Sequence, residues 1–83
     1  MKLLKFYADW CEPCGIQSNI INSLSEKISI SIENINIDLE TDKASRWKVR
    51  GIPTLILVDE NGEVKRHIGV LDKQNFLKFI AND

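Results

Sequence analysis

Cys11 and Cys14 are the only two cysteines of the chain, and two residues separate them. They lie in Trp10-Cys11-Glu12-Pro13-Cys14, where a short apolar run gives way to a stretch of helical periodicity. That placement suits dithiol chemistry. A thiolate, not a thiol, attacks a disulfide, and a free cysteine with pKa ~8.5 is mostly protonated at neutral pH. At a helix start, unpaired N–H groups and the positive end of the macrodipole favour the thiolate, and the pKa falls to about 3.5–7.5. Cys11 sits at that start and is the expected nucleophile. Cys14 follows one turn later on the same side of the helix. It can resolve a mixed disulfide intramolecularly, at high effective concentration.

The other uses of such a pair fit less well. Zinc usually takes four ligands, and the single histidine, His67, lies far along the chain, so one copy lacks a ligand set. A metal site bridging two chains, or inert cysteines, are the remaining alternatives. A structural staple is also poor, because the loop closed by a Cys11–Cys14 bridge is tiny and constrains little. No bound cofactor or metal is expected. The net charge is -1 with no basic stripe, so nucleic acid is not an expected partner. No stretch approaches the roughly 18 apolar residues of a membrane span, and Lys5 and Asp9 interrupt the N-terminal apolar run. The expectation is a cytoplasmic, monomeric protein of one small domain spanning residues 1–83.

The elements that must position the dithiol follow from the hydrophobic pattern. Leu3 to Tyr7 reads as a strand buried on both faces. Ile16, Ile20, Ile21, Leu24 and Ile28 mark a helix to about Lys27, with Pro13 in its first turn, where a missing N–H costs nothing. Ile30 and Ile32, then Ile35 and Ile37, form a second strand whose phase slips near Glu33-Asn34, which predicts a bulge or a strand starting at Ile35. Thr41 or Asp42 caps a short helix to Trp47. Thr54 to Val58 is a buried strand, Asp59-Glu60-Asn61-Gly62 a turn, and Glu63 to Ile68 the returning strand of a hairpin. Asp72 caps a last helix with Phe76, Leu77, Phe79 and Ile80 on its apolar side. The order β-α-β-α-β-β-α predicts an α/β fold: a four-stranded mixed sheet, spatial order 2-1-3-4, flanked by three helices.

With these residues in place the chain resembles the thioredoxin family. Trp10 to Cys14 is similar to that family's WCGPC, and Val49-Arg50-Gly51-Ile52-Pro53-Thr54-Leu55 to its segment around a cis-proline. Asn36-Ile37-Asp38, the Asn61-Gly62-Glu63 hairpin and Gly69 fall where the family has like residues. The likeness covers nearly the whole chain but lacks the family's usual N-terminal strand and helix, so the implied fold is a minimal thioredoxin fold of glutaredoxin-like length. The resemblance implies that Cys11 attacks and Cys14 resolves. It implies that Pro53 is cis and packs against the dithiol, keeping metals out. It also implies an apolar docking surface of Trp10, Gly51, Ile52, Ile68 and Gly69 for disulfide-containing protein substrates. Electrons would come from NADPH through a thioredoxin reductase, or from the glutathione system.

Three residues around the dithiol would tune it, and two of them depart from the family pattern. Pro13 is shared. Glu12 replaces a glycine, and its charge beside Cys11 disfavours the thiolate; a reduction potential in the reducing range is expected. Lys5 stands six residues before Cys11, where most thioredoxins bury an aspartate, and Asn34 stands where that aspartate's lysine partner falls. Either solvent or another carboxylate, such as Glu12, then helps deprotonate Cys14, or Lys5 merely extends to water and deprotonation is slower. The function expected is reduction of protein disulfides. A glutathione-dependent, glutaredoxin-like enzyme is the first alternative, although Val70 replaces the second glycine of that family's glutathione loop. A binding subunit that does not use its thiols is the second.

Overall fold

The computed structural model describes residues 1–81. Its elements are β1 (Lys2–Tyr7), α1 (Glu12–Ser23), a 3-10 turn (Ser25–Lys27), β2 (Ser31–Asn36), α2 (Thr41–Arg46), β3 (Thr54–Asp59), β4 (Gly62–Ile68) and α3 (Lys73–Ala81). The strands form one sheet in the order β2-β1-β3-β4, as the hydrophobic pattern predicts. β1 pairs parallel with β2 and antiparallel with β3, and β3 pairs antiparallel with β4.

Both faces of β1 are covered, which explains why apolar residues occur on both faces of the strand. Side chains alternate across a strand. Leu3 joins Ile21, Leu24, Leu55 and Phe76 in the core under α1 and α3. Leu4 and Phe6 join Ile35 and Ile56 in the core on the opposite face, with Trp47, Val49 and Ile52 packed against it.

The same two-sidedness removes the expected bulge in β2. The parallel register from Lys2↔Ser31 to Tyr7↔Asn36 is continuous. Ile30 and Ile32 pack on the core that holds Leu3, whereas Ile35 and Ile37 belong with Leu4 and Phe6. The apolar phase changes because the strand is buried on one face at its start and on the other at its end. Among the described residues, the register irregularity of the sheet lies in the hairpin. Leu57 pairs with Lys65 but Val58 pairs with Glu63, leaving Val64 extra.

Three local expectations also change. α1 ends at Ser23, and the 3-10 turn carries the chain on to Lys27. Its buried face runs through Cys14, Gln17 and Ile21, while Ile16 is exposed. The N-cap of α2 is Glu40, with no side-chain capping bond, so Thr41 and Asp42 lie inside the helix. The Asp72 cap stands as expected: its Oδ1 accepts from the Asn75 N–H at 2.8 Å and its carbonyl from the Phe76 N–H at 2.8 Å. Among the described residues no helix is long and apolar enough to cross a membrane.

Candidate functional site

Cys11 is the N-cap residue of α1, with extended backbone (φ -91°, ψ 105°). Its N–H donates to the Ala8 carbonyl at 3.2 Å, which sets the turn leaving β1. Cys11 and Cys14 are joined by a disulfide, their Cα atoms 5.3 Å apart. The Cys14 N–H donates to Cys11 Sγ at 3.2 Å. The sulfur therefore occupies the place that a serine or aspartate oxygen takes in an ordinary helix cap. A thiolate there would receive the same N–H and the positive end of the helix dipole. Pro13 lies at the first turn, and Glu12 is exposed beside it.

The two sulfurs are unequal in access. Cys11 is 8% exposed and Cys14 2%. Both pack with Ala8, and Tyr7, Ile37 and Ile52 close over them. Ile52, which the resemblance places on the docking surface, packs against the cluster that holds the dithiol, while Tyr7, Ala8 and Ile37 were not singled out in the sequence. Their signal was present only as the strand ends flanking the motif.

The Ile52-Pro53 peptide bond is cis, and Pro53 is buried. The carbonyl of Pro53 accepts from the Gly69 N–H at 2.8 Å. Gly69 has φ +106°, a left-handed conformation that a side chain would strain. A Cβ on Gly51 would meet Ile68 Cγ2 at 3.3 Å. These contacts bring Gly51, Ile52, Pro53, Ile68 and Gly69 together, although about fifteen positions of chain separate the two groups. Ile68 stays 59% exposed at this margin.

Trp10 is 71% exposed, and its ring is tethered. The indole Nε1–H donates to Asp38 Oδ2 at 2.9 Å, and Asp38 is held in turn by its N–H donating to Asn36 Oδ1 at 2.9 Å. The Asn36-Ile37-Asp38 segment was noted in the sequence only for its resemblance. Its physical work is to hold Trp10 with Asp38 and to cover the cysteines with Ile37.

Lys5 does not extend to water. It is 5% exposed, and its Nζ donates to Ser18 Oγ at 2.5 Å and to Asn34 Oδ1 at 3.2 Å. Register pairing of Lys5 with Asn34 across β1 and β2 brings the two side chains within reach of each other. Burial pushes the Lys5 ammonium pKa below its ordinary value. Among the described residues no group of three or more His, Cys, Asp and Glu side chains could hold a metal ion.

This geometry has close counterparts. The family model Thioredoxin matches residues 1–82. The chain is 34% identical over 80 residues to the thioredoxin of Chlamydia trachomatis, covering 95% of this chain and 78% of that protein. It is 38% identical over 81 residues to the thioredoxin of Chlamydia pneumoniae, covering 96% and 78%. Among solved structures, a mutant thioredoxin from Halobacterium salinarum superposes with TM-score 0.89 at 32% identity, over 98% of this chain and 72% of that one. The dithiol at a helix cap, the cis-proline loop beside it and these matches agree: the chain belongs to the thioredoxin family and is a thiol–disulfide oxidoreductase.

Proposed function

We propose that this protein reduces disulfides of other proteins through a single domain over residues 1–83, as a cytoplasmic monomer recycled by an NADPH-dependent thioredoxin reductase. Cys11 thiolate attacks a substrate disulfide. One substrate sulfur leaves as a thiol, and the other forms a mixed disulfide with Cys11. Cys14 thiolate then attacks Cys11 Sγ, the mixed disulfide breaks, and the second substrate thiol is released. The Cys11–Cys14 disulfide that remains takes two electrons from the reductase.

The observation that carries this order of attack is the pairing of a capped, more accessible Cys11 with an enclosed Cys14 whose N–H points at the Cys11 sulfur. Trp10, Gly51, Ile52, Pro53, Ile68 and Gly69 form the docking surface, with exposed Trp10 and Ile68 at its margins. Pro53 shields the dithiol, and Glu12, Pro13 and Lys5 tune it. The matched relatives are named thioredoxins, which favours this donor over glutathione.

The test is insulin reduction with NADPH and thioredoxin reductase beside a glutathione-coupled assay. Turnover in the first and little in the second is expected. Turnover only with glutathione would replace the donor, and none in either would overturn the reading.

A further inference from the structure

Among the described residues Lys5 is the single buried charged side chain. Its two hydrogen-bond partners, Ser18 Oγ and Asn34 Oδ1, are neutral acceptors. The ion pairs of the described residues involve Lys2, Lys43 and Arg66, so no carboxylate partners Lys5. Beside it lies an open cavity of about 570 Å³, lined by Lys5, Tyr7, Ser18, Asn22 and Asn34 among others. No aspartate or glutamate lines it, and Tyr7 is the only other titratable side chain there. From β3 the register partner of Lys5 is Leu55. An enclosed cation with no anion is costly.

The dithiol lies on the same helix face as the Ser18 partner of Lys5. Ser18 follows Cys14 by four residues in α1, so the two share one face, a single turn apart. Tyr7 joins the two sites directly. Its ring lies 5.3 Å from Lys5 Nζ and packs against the cluster of Ala8, Cys11 and Cys14.

We propose that the Lys5 ammonium is the counter-charge of the Cys14 thiolate, so that the resolving step proceeds without a carboxylate to take the proton. The inference rests on Cys14 being the resolving thiol. Cys14 releases its proton to solvent, and Lys5 holds the resulting thiolate by through-space attraction. The thiolate attacks Cys11 Sγ, the Cys11–substrate bond breaks, and the substrate sulfur leaves as a thiolate that takes a proton from solvent. Lys5 keeps its own proton throughout and acts as a positioning residue.

Alkylation of Cys14 by iodoacetamide in a Cys11→Ser background tests this between pH 5 and 10. Lys5→Met and Lys5→Gln are each compared with the Lys5 parent. Gln keeps a polar partner for Ser18 and Asn34 but carries no charge. Both substitutions are expected to move the alkylation midpoint up by about one pH unit, a roughly tenfold loss of thiolate on the acidic side. Profiles that superimpose on the parent overturn the proposal. So does a shift with Met but not Gln, which would assign the effect to hydrogen bonding. The two-cysteine Lys5→Gln protein should still reduce insulin, more slowly. If the parent itself fails to reduce insulin while the Cys14 shift persists, the proposed function falls and the charge pairing stands.

Discussion

The side-chain amide of Gln17 grips the backbone of Leu71 at both ends, its Nε2 donating to the Leu71 carbonyl at 3.2 Å and its Oε1 accepting from the Leu71 N–H at 2.7 Å. Gln17 is fully buried, three residues beyond Cys14 on the inward face of α1. The clamp fixes the segment after Gly69 to the helix that carries the dithiol. It also satisfies two backbone groups that lie outside any helix or strand. Gln17→Leu leaves both without partners in a partly enclosed place. A loss of about 2–4 kcal/mol is expected from two broken bonds and two unpaired groups, read by urea denaturation with the m-value unchanged.

Lys5 gives a destabilising effect whose size depends on pH. Its ammonium pKa in the folded chain lies below the ordinary 10.5. Below the lowered value, both folded and unfolded chains carry the proton, and the full burial cost is present. Between the lowered value and 10.5, the folded chain has lost a proton that the unfolded chain keeps, so stability rises with pH. In the oxidised protein, which offers no thiolate, Lys5→Met should be more stable than the parent by about 1–2 kcal/mol at pH 7. That margin should shrink as the pH approaches 10. A margin that widens with pH would contradict the burial of an unpaired cation.

Glu12 is exposed at the first position of α1, beside the Cys11 cap. Removing its charge should raise the thiolate fraction of Cys11, because a like charge nearby disfavours the anion. Glu12→Gln should speed alkylation of Cys11 about two- to threefold at low salt. In 1 M salt, where the Debye length is about 3 Å, the difference should nearly vanish. The same substitution removes a favourable acid from the helix N-terminus and should cost about 0.3–1 kcal/mol of stability.

Asp38 holds the exposed indole of Trp10 by one hydrogen bond. Asp38→Ala should release the ring with a stability change below about 1 kcal/mol, since the contact is solvent-exposed. The Trp10 indole N–H resonance should shift and exchange faster with water, while that of Trp47 stays in place. If the ring helps seat a protein substrate, KM for insulin should rise more than kcat falls.

Much of this site was legible before any coordinates. Local chemistry carries the parts that were read correctly. A dithiol beside a first-turn proline implies a helix cap, an Asp three positions ahead of a helical N–H implies another, and Asn61-Gly62 implies a hairpin. The misreadings arise where one residue's role depends on a distant partner. The Ile30 to Ile37 phase slip resembles a bulge until β1 is known to be covered on both faces. Nothing in the neighbours of Val64 marks the register step opposite Leu57 and Val58. Gln17 carries no local sign of its role, because its partner lies fifty-four positions away. Lys5 on a buried strand looks like a side chain that must escape to water, because Ser18 and Asn34 meet it only after folding.

The strand order leaves β2 and β4 as the two margins of the sheet. A reductase of proteins meets partners whose own strands are loosened, and a bare margin is a template for adding another chain. Both margins here discourage it. Glu33 on β2 is bridged by Lys2 and Lys43, and β4 bears Glu63, Lys65 and Arg66 together with the extra residue Val64. Charge at both borders, and the extra residue at the β4 border, disfavour the addition of a strand from a partner to either edge of the sheet.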